Sequence, residues 1–352
     1  MTIMMCAWAG SAVRGQDFDA HRYTEPVAAS VVKTAAVVYA TAPALATPWQ
    51  SEANTVNEQL AMDIFAPTGD FLQRRPAILF FHGGAFVSGS RNNEDMVAMC
   101  DTFARLGYVT ATVSYRLGMA PGDDNSPARA VYRGLQDGRA AVRFMRANAA
   151  TYGIDSSRIY AVGSSAGAFI CLHSVYMNNP AEKPAAAGAY TITVGVPPFQ
   201  TTINVPDLGG YDIGNHLDRD GTPDAIVGLW GALQSEALID GGGHKPLLLV
   251  HGTADNIVPF EIGSPFGYSG FPPTSGSGTI AQALRVRELD HESYFVEGAP
   301  HEFYGVQNGN FDDDGVPGPN EQYGVVLARM KAFLRNVHRP AAESTLRPRV
   351  FS

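Results

Sequence analysis

Cysteine is scarce in this chain: three in 352 residues, at Cys6, Cys100 and Cys171. An odd and small number cannot build a disulfide framework, so stability has to come from apolar burial. Cys171 falls on an expected helix and reads as a small core residue. Basic charge is also short, with 25 Lys and Arg against 34 Asp and Glu and a net charge of −9. Without basic clusters, a nucleic-acid surface is excluded as a working partner. Long hydrophobic runs are missing too. No apolar stretch approaches the roughly 20 residues that a transmembrane helix requires, so no membrane span is expected.

Glycine, by contrast, is plentiful, at 37 residues. A Gly-x-Ser-x-Gly string therefore proves little alone, and Gly163-Ser164-Ser165-Ala166-Gly167 has to be judged by its surroundings. Upstream, residues 157–162 form a β-branched and aromatic run that predicts a buried strand; downstream, 166–176 is small, apolar and helical in spacing. Strand, sharp turn and helix make a setting in which a serine is held exposed on a strained backbone, with Ala166 N–H and a positive helix end beside it. A second strand, 76–81, ends in His82-Gly83-Gly84-Ala85-Phe86. Bare backbone there can aim N–H groups at a developing oxyanion, so Gly83, Gly84 and Ala166 are the expected donors. His82 reads as a residue that braces this loop.

A third apolar strand, 245–250, is followed by His251-Gly252-Thr253-Ala254-Asp255, which puts a carboxylate just past a strand's carboxyl end, where open α/β sheets place catalytic groups. A helix at 279–289 and a strand at 292–297 then lead to His301. Ser165, His301 and Asp255 are the candidate nucleophile, base and orienting acid of acyl transfer through a covalent ester intermediate. Asp290 and Glu302 are the rival acids, and His251 and His291 the rival histidines. His251 reads as a turn brace. No cofactor is needed for such chemistry.

These motifs, in the order Ser, Asp, His, resemble the α/β-hydrolase superfamily, specifically small carboxylesterases near the hormone-sensitive-lipase-like and feruloyl/acetyl esterase groups. The likeness spans residues 58–337 and includes Tyr152-Gly153-Ile154-Asp155 and Ser114-Tyr115-Arg116-Leu117-Gly118. The latter string is also similar to type B carboxylesterases. The chain departs from the lipase-like pattern with Ala85 and Ser164 where Gly and Asp are usual, which leaves subgroup and substrate open. The resemblance implies a mostly parallel, twisted central sheet with helices on both faces. It implies a carboxylesterase working on a small-molecule or polymer-linked ester. A peptidase or amidase on the same fold is the alternative, and a non-catalytic binding module a further one. It also implies that Arg116 pairs with Asp137 as a buried brace.

Around this core, 31–39 and 60–65 are expected as antiparallel edge strands. Further strands are expected at 108–114 and 225–230, and helices at 94–106, 127–150 and 322–337. The segment 178–223, rich in Gly, Pro and Asp, reads as a lid insertion or as a plain surface excursion. Phe86, Phe266, Tyr268 and Phe303 are expected to line an apolar acyl or aryl pocket. Asn310, Asp312, Asp314 and Glu321 have the spacing of an EF-hand Ca²⁺ loop, with Gly315 at the sixth position; a solvated acidic turn explains the same residues. Residues 1–16 resemble the remnant of a signal peptide, although no Lys or Arg precedes the apolar run. This favours a secreted or periplasmic protein over a cytoplasmic one. Residues 17–337 are expected as a single domain, and 338–352 as a disordered tail or linker stub. No oligomeric partner is read from the sequence.

Overall fold

The computed structural model describes residues 21–47, 49–267, 270–311 and 318–338. In chain order the elements begin with β1 (Val31–Leu45), β2 (Thr55–Pro67), β3 (Arg75–Phe81), α1 (Glu94–Arg105), β4 (Val109–Val113) and α2 (Ser126–Ala147). Next come α3 (Ala149–Tyr152), β5 (Ile154–Ser164), α4 (Ala166–Tyr176), β6 (Tyr190–Val196), β7 (Phe199–Val205), β8 (Ala225–Leu229) and β9 (Ala232–Leu233). The last are β10 (Leu247–Gly252), β11 (Ile262–Gly263), β12 (Thr274–Gly276), α5 (Ser277–Val286), β13 (Glu292–Val296) and α6 (Glu321–His338).

Eight strands form one sheet in the order β1-β2-β4-β3-β5-β8-β10-β13. β1 and β2 pair antiparallel, as does β2 with β4, and every pairing beyond is parallel. The central strands are buried on both faces, which is why they read as unbroken apolar runs. In β3, Ala77, Leu79 and Phe81 join the core under α2, α4 and α5. Ile78 and Phe80 join the opposite core under α1 and α6. The two-residue side-chain period of a strand thus feeds two helical layers at once.

Arg116 makes the expected brace. Its Nε lies 2.9 Å from Asp137 Oδ1, its backbone N–H donates to Asp137 Oδ2 at 2.8 Å, and both side chains are buried. The segment 178–223 has more order than a loop reading suggests. β6 and β7 form a solvent-exposed hairpin, with Val196 and Phe199 bare, and the rest is fastened to α2. Arg129 donates to the carbonyls of Ala186, Gly188 and Pro206 at 2.7–3.0 Å. Gln136 reaches Leu208 and Gly210, each at 2.7 Å, and Arg139 holds the Asp212 carboxylate at 2.8 Å. A row of buried guanidinium groups satisfies backbone carbonyls that would otherwise be orphaned under the segment.

Candidate active site

Parallel register brings four loops to one edge of the sheet. Phe81 pairs with Gly163, Ser164 with Leu229, Leu229 with Val250, and Gly252 with Val296. The turns that follow β3, β5, β10 and β13 therefore emerge side by side at the carboxyl ends of the strands, where such sheets bind ligands.

Ser165 sits between β5 and α4 at φ +53°, a left-handed conformation that strains any non-glycine residue. Its N–H donates to Leu229 O at 2.9 Å. The turn is tight enough to exclude side chains on either side. A Cβ on Gly163 would lie 2.1 Å from Gly167 O, and one on Gly167 would lie 2.1 Å from Phe81 O. Backbone cannot yield as a flexible side chain can, so Gly163→Ala should destabilise the protein by about 3 kcal/mol. Urea unfolding checks this; an unshifted midpoint would show that the elbow has room for a side chain.

Asp255 and His301 come from loops that are laced together. Ala254 N–H donates to Ala299 O at 3.0 Å, Thr253 N–H to Val296 O at 3.0 Å, and Gly298 N–H to Thr253 Oγ1 at 2.9 Å. The Ile257 and Val258 N–H groups occupy Asp255 Oδ1 at 2.8 and 2.9 Å. Its other oxygen, Oδ2, accepts His301 Nδ1–H at 2.6 Å. That bond leaves His301 Nε2 as an acceptor, and the Ser165 hydroxyl lies 3.0 Å from it. Burial alone would raise the Asp255 pKa, but hydrogen bonds from His251 and His301 prevail and hold it well below the ordinary carboxylate range. The carboxylate is therefore charged throughout the neutral range.

Gly83, with a Cβ position 3.3 Å from Ser165 Cβ, runs directly beside the serine. The N–H groups of Gly83, Gly84 and Ala166 have no acceptor among the described residues. They are thus available to an acceptor held beside Ser165. His82 steadies the strip: Nδ1–H donates to Gly83 O at 2.6 Å, and the ring stacks on Tyr115 with centroids 4.3 Å apart. Burial pulls its pKa down to about 4, so it is neutral at pH 7. A cavity of about 590 Å³ opens over Ser165 and His301, lined also by Gly84, Phe266, Ile257, Glu302 and Phe303.

Three comparisons with known proteins bear on this arrangement. The family model described as BD-FAE matches residues 62–204. Carboxylesterase 3B of Mus musculus is 31% identical over 157 residues, which make up 42% of this chain and 25% of that protein. Neuroligin-like protein glit-1 of Caenorhabditis elegans is 37% identical over 115 residues, 31% of this chain and 15% of that protein. The chain thus spans a quarter or less of the length of these curated relatives. Thermogutta terrifontis esterase 2, solved phosphonylated by cyclosarin, is similar with a TM-score of 0.57 and 22% identity, over 87% of this chain and 95% of that one. The chain has the α/β-hydrolase fold.

Within this fold, Phe266 and Phe303 line the cavity as expected, but Phe86 does not. At φ +63° the Phe86 backbone turns its ring inward, fully buried against Tyr115, Phe169 and Phe266. Tyr268 lies outside the described residues, as do Asp312 and Asp314. The EF-hand reading lacks its entering helix, because residues 301–310 form turns with a Gln307–Asn310 bridge. Asn310 lines the cavity, and Glu321 opens α6. Among the described residues no group of His, Cys, Asp and Glu is arranged to hold a metal ion, and no helix is long and apolar enough to cross a membrane. None of residues 178–223 lines the cavity.

Of the rival groups, Asp290 lies at the opposite edge of the sheet, where its carbonyl accepts His244 Nε2–H. Glu302 binds the Asn308 N–H and makes no hydrogen bond to the imidazole. His251 does more than brace a turn. Its Nε2–H is shared between Asp255 Oδ2 at 3.1 Å and Val258 O at 3.0 Å, with the Ser277 hydroxyl on Nδ1 at 2.8 Å. Trp230 is a support that sequence reasoning missed: its indole N–H donates to Ser164 Oγ at 2.9 Å, and its ring meets His301 edge-on at 6.2 Å. The signal was a lone tryptophan closing a buried strand. A buried indole N–H needs an acceptor, and the elbow supplies one.

Proposed function

We propose that this chain hydrolyses carboxylic esters through an acyl-enzyme on Ser165. The reading is carried by one observation: Ser165 Oγ, the His301 ring and Asp255 Oδ2 lie in hydrogen-bonded series at 3.0 and 2.6 Å. Ser165 Oγ attacks the ester carbonyl while His301 Nε2 takes its proton. Asp255 holds the Nδ1–H tautomer and stabilises the imidazolium without accepting the proton itself. The Gly83, Gly84 and Ala166 N–H groups receive the oxyanion. His301 then protonates the departing alcohol, and water repeats the cycle on the acyl-enzyme.

Thermogutta esterase 2 is phosphonylated by cyclosarin, and an activated Ser165 should take up an organophosphonate in this chain likewise. Phe266 and Ile257 offer an apolar wall for the acyl group, and Asn256, Gln307 and Asn320 add polar positions around it. An amidase built on the same triad is the competing activity. p-Nitrophenyl esters graded in acyl length, assayed against the matching aminoacyl anilides, separate the two. Ester turnover should exceed anilide turnover by at least about 10³ in kcat/KM, a margin of about 4 kcal/mol in the barrier. Comparable rates would identify an amidase. No turnover of either class, with no serine labelling, would identify a binding module.

A further inference from the structure

Glu302 follows His301 directly, yet its carboxyl turns back beneath the catalytic strip. Its backbone is left-handed at φ +49°. Oε2 accepts the Asn308 N–H at 2.7 Å. Oε1 lies 3.5 Å from the point a Gly83 Cβ would occupy, and Ser165 Cβ lies 3.3 Å from that same point. The carboxyl and the stem of the serine therefore both lie within 3.5 Å of one point beside the Gly83 backbone. It also lines the cavity, although Glu302 is only 8% exposed.

Among the described residues Glu302 forms no ion pair with Lys or Arg. The groups around it are acids or neutral. From α1 comes Asp95, fully buried, which accepts the Tyr304 hydroxyl at 2.8 Å, with Glu94 beside it in sequence. From the loop after β10 comes Asp255. The 82–86 turn contributes one titratable side chain, His82, whose Nδ1–H is engaged by Gly83 O. On its own loop Glu302 follows the imidazole of His301.

We propose that Glu302 binds substrate as a neutral acid, donating a hydrogen bond from its carboxyl to the ester held over Ser165, and that its ionisation in alkali turns catalysis down. The proposal rests on the ester-hydrolase reading. Electrostatics agrees with the geometry. Burial first, and the neighbouring Asp95 second, push the Glu302 pKa up to about 8, and burial pushes Asp95 up to about 7. At pH 7 the Glu302 carboxyl keeps its hydrogen and can donate. Above pH 8 it becomes a second anion next to the place where the tetrahedral oxyanion forms, and repels it.

The test is the alkaline limb of kcat/KM for a p-nitrophenyl ester, corrected for hydroxide hydrolysis, in wild type, Glu302→Gln and Asp95→Asn. Wild type should fall with an apparent pKa near 8. Glutamine keeps the shape and an N–H donor but cannot ionise, so the ratio of kcat/KM at pH 9 to that at pH 7 should rise about tenfold over wild type. Asp95→Asn removes a repelling carboxyl, so its fall should begin at lower pH than in wild type. An alkaline limb unchanged in E302Q overturns the proposal. If E302Q does not fold, a limb unmoved in D95N does so instead. Infrared pH-difference spectra of wild type, with E302Q or D95N as reference, follow loss of the protonated carboxyl band whether or not an ester is cleaved. A band already absent at pH 6 would overturn the neutral acid, whereas a band lost near pH 8 in a protein that turns over no ester would count against the hydrolase reading alone.

Discussion

Ser165→Ala should lower kcat for ester hydrolysis by about 10⁶ while leaving the fold in place. Both halves of that expectation come from the same local structure. Among the described residues the Ser165 hydroxyl bonds only to His301 Nε2, so its removal breaks no structural contact. The backbone bonds that define the turn remain: the N–H to Leu229 O, and the carbonyl to the N–H groups of Ala168 and Phe169. Alanine meets the same backbone strain at φ +53° as serine does. The N–H groups of Gly83, Gly84 and Ala166, proposed to receive the oxyanion, also survive and should sustain residual catalysis of about 10³ to 10⁴ over water. Steady-state assays on a p-nitrophenyl ester measure the loss. An organophosphonate should add its mass to the peptide containing Ser165 in wild type and not in the variant. Variant activity within tenfold of wild type, or labelling elsewhere, would place the nucleophile at another residue.

Much of the fold was legible because its central strands are buried on both faces. β3, β8 and β10 read as continuous apolar runs bounded by Gly, His or Asp, and that is how the sheet uses them. The β6–β7 hairpin was not legible, since both strands face solvent and carry no alternation imposed by a core. The small sheet of β11, β12 and β9 was missed for a different reason: strands of two or three residues have no period to read. On α2 a signal was present but unused. Arg129, Arg133, Arg139, Arg143 and Arg146 recur at helical spacing on a helix that is buried almost all round. Charges at such positions imply a layer of partners above them, and the 178–223 segment with Glu52 is that layer.

The site divides in a similar way. Ser165, Asp255 and His301 could be picked out because each follows a recognisable strand, and strand ends in a parallel sheet converge whatever the loop composition. Residues that act through backbone conformation could not. Phe86 points into the core, and Glu302 turns back toward Gly83, because each adopts a positive φ that no side-chain pattern announces. A positive φ did not by itself take a residue out of the cavity, since Phe266 at φ +64° lines it as expected.

Asp255→Asn should lower kcat by about 10⁴ at neutral pH, and the hydrogen bonds around residue 255 explain why so small a change is so damaging. An asparagine must choose an orientation. With its oxygen in the Oδ1 position it keeps the Ile257 and Val258 N–H bonds, which places its NH₂ against His301 Nδ1. With the amide flipped, two backbone donors face an NH₂ and both bonds are lost, a penalty of about 2 kcal/mol or more in a buried site. The unflipped form therefore wins. His251 does not reverse this choice, because its Nε2–H still has Val258 O at 3.0 Å. In that orientation His301 Nδ1 becomes an acceptor, so the ring proton moves to Nε2, the atom that should receive the serine proton. The base is then blocked in its resting state, with every heavy atom close to its original place. The expected signature is a collapse in kcat with KM within a few-fold of wild type and an unchanged near-ultraviolet circular dichroism spectrum. A loss below tenfold would mean that His301 does not depend on Asp255 for its tautomer.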